Sequence, residues 1–155
     1  MSIQRCWAED GEASTHDLTL TPTRSRNMAA IGRRDTRPER IVREIVTSLG
    51  YSFSTNDERL RGTPDLVLWH IRTVIMVHGC FWHRHGCPLT STPRTRLTWW
   101  LAKFAATVRR DARVARALRR NGWSVLTVWQ CVTRDREALA RRLAVLLLAR
   151  QRWAR

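Results

Sequence analysis

Negative charge is scarce in this chain. Thirteen acidic residues face twenty-eight basic ones among 155 residues, a formal net charge of +15 and a pI near 11.6. Such an imbalance disfavours basic partners and points to a polyanion, with nucleic acid the default. Lysine is almost absent, Lys103 being the only one. That arginine preference could reflect compositional bias, but bias alone does not produce so large an excess over acids.

Long apolar runs are missing as well. None approaches the ~20 residues that span a bilayer, and the N-terminus has no apolar signal-peptide core. The expectation is a protein of the reducing cytoplasm, not of a membrane, in which disulfides are rare. No internal repeat is visible, which excludes solenoids and propellers. With 43% hydrophobic residues, the chain suits one domain with a real core. A flexible tail is expected over residues 1–21, one domain over 22–150 and a short tail over 151–155. Cys6 and Trp7 receive no role.

What is present concentrates in one stretch, His78-Gly79-Cys80-Phe81-Trp82-His83-Arg84-His85-Gly86-Cys87. It holds three of the five histidines and two of the four cysteines. Cys80, His85 and Cys87 are close enough for one loop to wrap an ion. Cys131, at the end of a predicted strand, could close a tetrahedral Cys3His zinc site. The spacing is not that of a common zinc finger, and a core cysteine explains Cys131 equally well. It explains Cys80 and Cys87 badly, because polar residues flank them. If His85 binds zinc, His78 and His83 remain for proton transfer. Phe81 and Trp82, beside a basic surface, suit stacking on bases. Trp99 and Trp100 offer further rings, of which at least one is expected in the core.

Around this stretch the pattern predicts alternating elements. Arg24 and Arg26 on one side and Arg33 and Arg34 on the other flank the apolar knob of Met28, Ala29, Ala30 and Ile31 in a basic arm over 22–34, which suits a phosphate backbone and a groove. A solvated basic loop is the plainer account of that segment. Residues 36–49 read as a helix capped by Thr36, with Ile41, Val42, Ile45, Val46 and Leu49 buried and Gly50 as its stop. Tyr51 and Phe53 suggest a short strand, and 56–62 a loop. Asp65 opens a central strand, and 72–77 form a second. A helix runs from a Thr95 cap to about Asn121, burying Leu97, Trp100, Leu101, Phe104, Val108, Ala112, Ala115 and Leu118. Asp111 stands nearly alone among its arginines, as either a solvated ion-pair partner or a carboxylate brought to the active centre. Residues 123–130 read as a strand. A last helix over 133–150, capped by Thr133 or Asp135, buries Leu139, Leu143, Leu146 and Leu147. Asp65 offers the hard oxygen that Mg²⁺ prefers, and an ion there could polarise a phosphoryl oxygen. The acid-spacer-lysine triplet common in metal-dependent nucleases is absent at Met76-Val77-His78-Gly79. Asp65 is then either a turn residue or part of a site where histidine replaces lysine.

The run His78 to His83 with His85 and Cys87 resembles the very short patch repair endonucleases of bacteria. So do Thr23 to Met28, Pro64-Asp65, Thr95 to Trp100 with Asp111, and Trp123 to Cys131. The resemblance covers roughly residues 22–140. It implies a restriction-endonuclease-like α/β fold, a mixed central sheet flanked by helices with a structural zinc knuckle. It implies a DNA mismatch endonuclease that nicks 5′ to the T of T·G mismatches left by deamination of 5-methylcytosine. By resemblance, Asp65 and the Val77 backbone carbonyl hold Mg²⁺, and His83 is the base, assisted by His78. Glu39 and Asp111 bond metal-bound waters, and Cys80, His85, Cys87 and Cys131 hold structural zinc. Phe81, Trp82 and Trp100 intercalate from the major groove, while Met28 and Ile31 approach from the minor groove. A monomer on the bacterial nucleoid is implied, with mismatch-repair proteins as candidate partners. Val77 stands where the family has threonine, Arg84 and Gly86 replace histidines, and Gln130 replaces an acid. A non-catalytic zinc-containing DNA-binding module and a sequence-specific restriction-like nuclease remain as alternatives.

Overall fold

The computed structural model describes residues 34–153. The expected tail, Cys6, Trp7 and the arm residues Arg24, Arg26, Met28 and Ile31 lie outside the described residues. The described elements run α1 (Arg37–Ser48), β1 (Ser54–Thr55), β2 (Leu66–Leu68), β3 (Thr73–His78), α2 (Cys80–His83), α3 (Leu97–Arg120), β4 (Ser124–Trp129) and α4 (Arg136–Trp153). They form a mixed α/β structure around a four-stranded sheet.

The strands lie in the order β1-β2-β3-β4. β1 and β2 pair antiparallel, as do β2 and β3, whereas β3 and β4 are parallel. A parallel pair needs a long crossover, and here the chain between β3 and β4 carries α2 and α3. Leu66, Leu68 and Ile75 pack with Val42, Val46, Leu139, Leu143 and Leu147 of α1 and α4. Val67, Val74 and Met76 pack on the other face with Val114 and Leu118 of α3. Both faces of β2 and β3 are therefore covered, which is why they read as unbroken apolar runs rather than alternating ones.

Glu39 anchors the start of α1. Its carboxylate accepts from the Asp35 N–H at 2.8 Å and the Thr36 hydroxyl at 2.7 Å. Thr36 occupies the cap position but spends its hydroxyl on Glu39, not on the helix. Gly50, at φ +80°, ends the helix as expected.

Several boundaries differ from the sequence pattern. Tyr51 and Phe53 pack on the core as partly buried residues, and the edge strand forms at Ser54–Thr55 instead. The turn after it is pinned by buried Asp57, which accepts from Ser54 and from the backbone and guanidinium of Arg59. Trp69 leaves the strand in a 3₁₀ turn, Trp69–Ile71. Thr95 does not cap α3, whose preceding residue Arg96 is left-handed at φ 53°. Phe104, Val114 and Leu118 form the buried stripe of α3, while Leu97, Leu101, Val108 and Ala112 are exposed. Leu101 and Val108 sit about a quarter turn around the helix from that stripe, too far to reach the sheet. On α4, Asp135 supplies the cap by accepting from Ala138 N–H at 2.9 Å. Leu146 is 37% exposed, and the helix continues through Trp153. No described helix is long and apolar enough to cross a membrane.

Gly62 fixes how closely α3 approaches the loop before β2. Its φ is +85°, and a Cβ there would lie 2.3 Å from Val114 Cγ1. Gly62→Ala is expected to destabilise the fold by about 2–4 kcal/mol, combining overpacking with a left-handed alanine. Denaturant midpoints would check this. Adding Val114→Ala should recover the steric part only, and full recovery would refute the backbone contribution.

Candidate active site and metal centre

Antiparallel pairing of β2 and β3 brings the start of one beside the end of the other. Asp65, just before β2, accepts a hydrogen bond from the Val77 N–H across the sheet at 2.6 Å. Its backbone carbonyl accepts from Asn56 N–H at 3.3 Å. Burial raises the Asp65 carboxyl to about 6, and the charge of Glu39 adds to this against the opposing Val77 N–H and His83. Glu39 reaches the same cleft from α1 and is itself buried.

β3 ends at His78, and one helical turn, α2, follows where a loop was expected. That turn swings His83 back onto His78. The two imidazoles stack with centroids 3.9 Å apart and planes 10° apart. Burial lowers His78 to about 4, helped by His83 and Arg110 against the pull of Asp111. His78 is thus neutral near pH 7.

Asp111 completes the cleft from α3. It lies on the inward stripe with Phe104, Val114 and Leu118, so the solvated reading does not hold. Its Oδ2 is 2.5 Å from His83 Nδ1, and its Oδ1 accepts from Arg110 Nε and Nη2 at 3.3 and 3.1 Å. Burial alone would raise Asp111, but the His83 hydrogen bond and charge, with Arg110, outweigh it and hold the carboxyl below its usual value. An ionised carboxylate only accepts, so His83 must carry its proton on Nδ1. In the neutral imidazole this leaves the Nε2 lone pair free on a ring that lines the cleft, the tautomer a general base requires.

The cleft encloses about 450 Å³ and is also lined by Arg34, Asn56, Gly62, Thr63, Met76 and Arg110. Sequence reasoning did not single out most of these. Arg110 could have been found as the immediate neighbour of Asp111, but it was hidden in a run of arginines. Asn56 and Thr63 adopt φ of 48° and 47°. For β-branched Thr63 that is a rare conformation, of the kind that clusters at functional sites.

The second cluster lies at the far end of α2. One ligand atom from each of Cys80, His85, Cys87 and Cys131 lies within 4.8 Å of the others. His85 Nε2 is 3.2 Å from Cys80 Sγ and 3.3 Å from Cys131 Sγ. Tetrahedral zinc with ordinary bond lengths sets such N···S separations at about 3.5 Å, so the donor set fits. Burial pushes the Cys80 thiol up to about 12, with its cysteine neighbours contributing. A metal ion would supply the positive charge these sulfurs lack. The Cys131 N–H points at Cys80 Sγ at 3.3 Å, and His85 stacks on Trp129 at 4.3 Å. Gln130 accepts from Cys80 N–H at 3.3 Å, tying the end of β4 to the start of α2.

Between the two clusters the rings of α2 meet α3. Phe81 contacts Trp82, Trp100 and Phe104 with centroids 5.1, 5.5 and 5.2 Å apart. Trp82, Trp100 and Phe81 are half-buried, whereas Trp99 is 55% exposed. Phe81 and Trp82 both lean on the buried ring of Phe104 while remaining half-buried themselves. Arg84 lies over that Phe104 ring at 4.5 Å.

The family described as DNA mismatch endonuclease Vsr matches residues 16–89. The chain is similar to the Escherichia coli (strain K12) protein named DNA mismatch endonuclease Vsr, with 45% identity over 82% of this chain and 80% of that one. It is 44% identical to the Xanthomonas oryzae pv. oryzae protein named Type II nicking enzyme V.XorIIP, over 83% of this chain and 95% of that one. A Neisseria meningitidis serogroup A protein, Type II nicking enzyme V.NmeAIP, is 34% identical over 82% of this chain and 91% of its own.

The Asp65 shift has a direct consequence for stability. Below about pH 4 the carboxyl is protonated whether the chain is folded or not, so it costs nothing. As pH rises past the raised value of about 6, the folded protein carries a buried charge, at about 2–3 kcal/mol. Asp65→Asn is therefore expected to be more stable than wild type at pH 8 without divalent cations, with the gap closing near pH 4.5. Urea unfolding at both pH values measures it. An equal difference at both would show that the carboxylate charge is not the cause.

Proposed function

The chain belongs to the DNA mismatch endonuclease Vsr family, and on that premise we propose that it nicks one strand of duplex DNA 5′ to the T of a T·G mismatch. The observation that carries this is the meeting of Asp65, Glu39 and the Asp111–His83 pair in one cleft beside the half-buried Phe81–Trp82–Trp100 rings. A binding module has no need for a buried, desolvated carboxylate or an oriented imidazole.

In this reading His83 Nε2 takes a proton from a water aligned with the scissile phosphorus. The water oxygen forms the new P–O bond as the bond to the leaving 3′ oxygen breaks. Asp111 holds the imidazole in its required tautomer and stabilises the imidazolium that forms. Neutral His78 supports the His83 ring by stacking. Arg34 and Arg110 lend positive charge to a phosphate in the cleft. Asp65 and the Val77 carbonyl are the oxygen donors suited to Mg²⁺, with Glu39 placed to bond its waters, and the mutual repulsion of the two carboxylates is what a cation would relieve. Bound Mg²⁺ would polarise the phosphoryl oxygen and stabilise the leaving oxygen. Cys80, His85, Cys87 and Cys131 would hold a structural zinc, which would fix both ends of the segment bearing α2. Phe81, Trp82 and Trp100 enter the stack at the mismatch, and the basic arm with Arg24, Arg26, Met28 and Ile31 approaches the opposite groove. The layout, with a carboxylate opening one central strand beside the catalytic end of the next, supports a restriction-endonuclease-like fold.

Relatives named as nicking enzymes keep a second reading in view, in which flanking sequence rather than the mismatch selects the site. Nicking assays across all twelve mismatches in several contexts, with a matched C·G control, separate the two. Cutting confined to T·G supports the proposal, and equal cutting of the matched control would sink it. His83→Ala is expected to lower the single-turnover rate by about 10²–10⁴-fold, with mismatch binding retained.

Zinc content gives an independent test. Purified protein should carry one zinc per chain, and Cys131→Ser should lose it together with thermal stability. A zinc-free wild type that is fully folded would remove the metal from the account.

A further inference from the structure

The proposed mechanism uses one side of α3 and leaves the other unexplained. Phe104, Asp111, Val114 and Leu118 face the sheet and cleft. At about 100° per residue, Arg109, Arg113, Arg116 and Arg120 fall within about 60° of one another, nearly half a turn away from that side. All four are exposed. Their i, i+4, i+7, i+11 spacing makes one straight row roughly 16 Å long.

Among the described residues, none of the four forms an ion pair. The Arg116 guanidinium has one long contact, Nε to the Ala112 carbonyl at 3.5 Å. The one acid on α3, Asp111, is turned inward onto His83. Like charges three and four residues apart repel and destabilise a helix. Solubility alone is met by mixed charge, so a row of one sign suggests a ligand of the other.

We propose that this outer arginine row is a second DNA surface, gripping the backbone of a separate duplex while another lies in the cleft. The inference rests on the DNA-binding reading of the cleft. A row of that length spans about five phosphates of one strand, at ~3.4 Å of axis each. Arginine forks match phosphate oxygens better than any other side chain. The duplex in the cleft cannot also serve the row. Bending a site by 40–90° already costs about 1–6 kcal/mol, and reaching the far side of α3 needs a sharper turn. The consequence is direct transfer, in which an incoming duplex is held on the row before the first has left.

The test is dissociation of a short fluorescent T·G duplex followed by stopped flow as unlabelled duplex competitor is raised. The wild-type rate should climb several-fold with competitor. R109Q/R113Q/R116Q/R120Q should show a constant rate, while its single-turnover nicking of the short duplex stays unchanged and reports an intact fold. R141Q/R142Q/R150Q/R152Q on α4 carries the same loss of charge and should keep the competitor dependence. A wild-type rate independent of competitor overturns the proposal, as does identical behaviour of the two variants. Retained dependence in the α3 variant also overturns it and would leave the row to an acidic protein face. No binding of the short duplex by wild type would instead overturn the DNA-binding reading of the cleft.

Discussion

The hydrogen bond from the Val77 N–H to the Asp65 carboxylate joins the two central strands at the end where the cleft opens. Its geometry follows from antiparallel pairing, which sets the start of β2 against the end of β3. It holds a carboxylate where burial opposes its charge, and one residue further along the same strand His78 begins the imidazole stack. Glu39 from α1 and Asp111 from α3 then approach from opposite faces of the sheet. The cleft is where the three layers meet at one end of the central strands.

The two clusters on residues 78–87 are mechanically linked. The helical turn α2 presents His83 to the cleft and Cys80 to the sulfur-rich cluster, and Gln130 and Cys131 tie that turn to β4. The parallel partner of β3 thereby supports that strand along its length and fixes the segment that follows it. Phe81 and Trp82, between His83 and Cys80, inherit that rigidity while leaning on Phe104. Aromatic pairs with centroids near 5 Å add a modest stabilisation of about 1 kcal/mol each, so the ring cluster is ordered without being locked into the core.

Much of the site was legible in the residues. Cysteine and histidine spacing pointed to Cys80, His85 and Cys87 and a strand end offered Cys131 as the fourth member of the cluster, and Pro64-Asp65 before an apolar run placed Asp65 at a strand start. The helix of Arg37–Ser48 followed from its apolar spacing and the stop at Gly50, although Thr36 gives its hydroxyl to Glu39 rather than to the helix backbone. The errors came where tertiary packing overrides pattern. Leu97, Leu101 and Val108 look like a buried stripe because apolar residues are frequent on α3. Yet the sheet reaches only the side bearing Phe104, Val114 and Leu118. Tyr51 and Phe53 have the composition of a strand but are used as packing residues, and the hydrogen-bonded edge falls on Ser54 and Thr55.

Sequence by itself determined the chemistry available: the scarcity of acids, the sulfur and imidazole ligands, and the few carboxylates that a basic chain keeps. Those are properties of side chains and of near neighbours, and they survive without a fold. Only tertiary structure decided which histidine meets Asp111, that Arg110 lines the cleft, and that α3 turns one face to the site and a row of arginines the other way. Those depend on helix rotation and strand register, which contacts across the whole domain set and no local segment encodes.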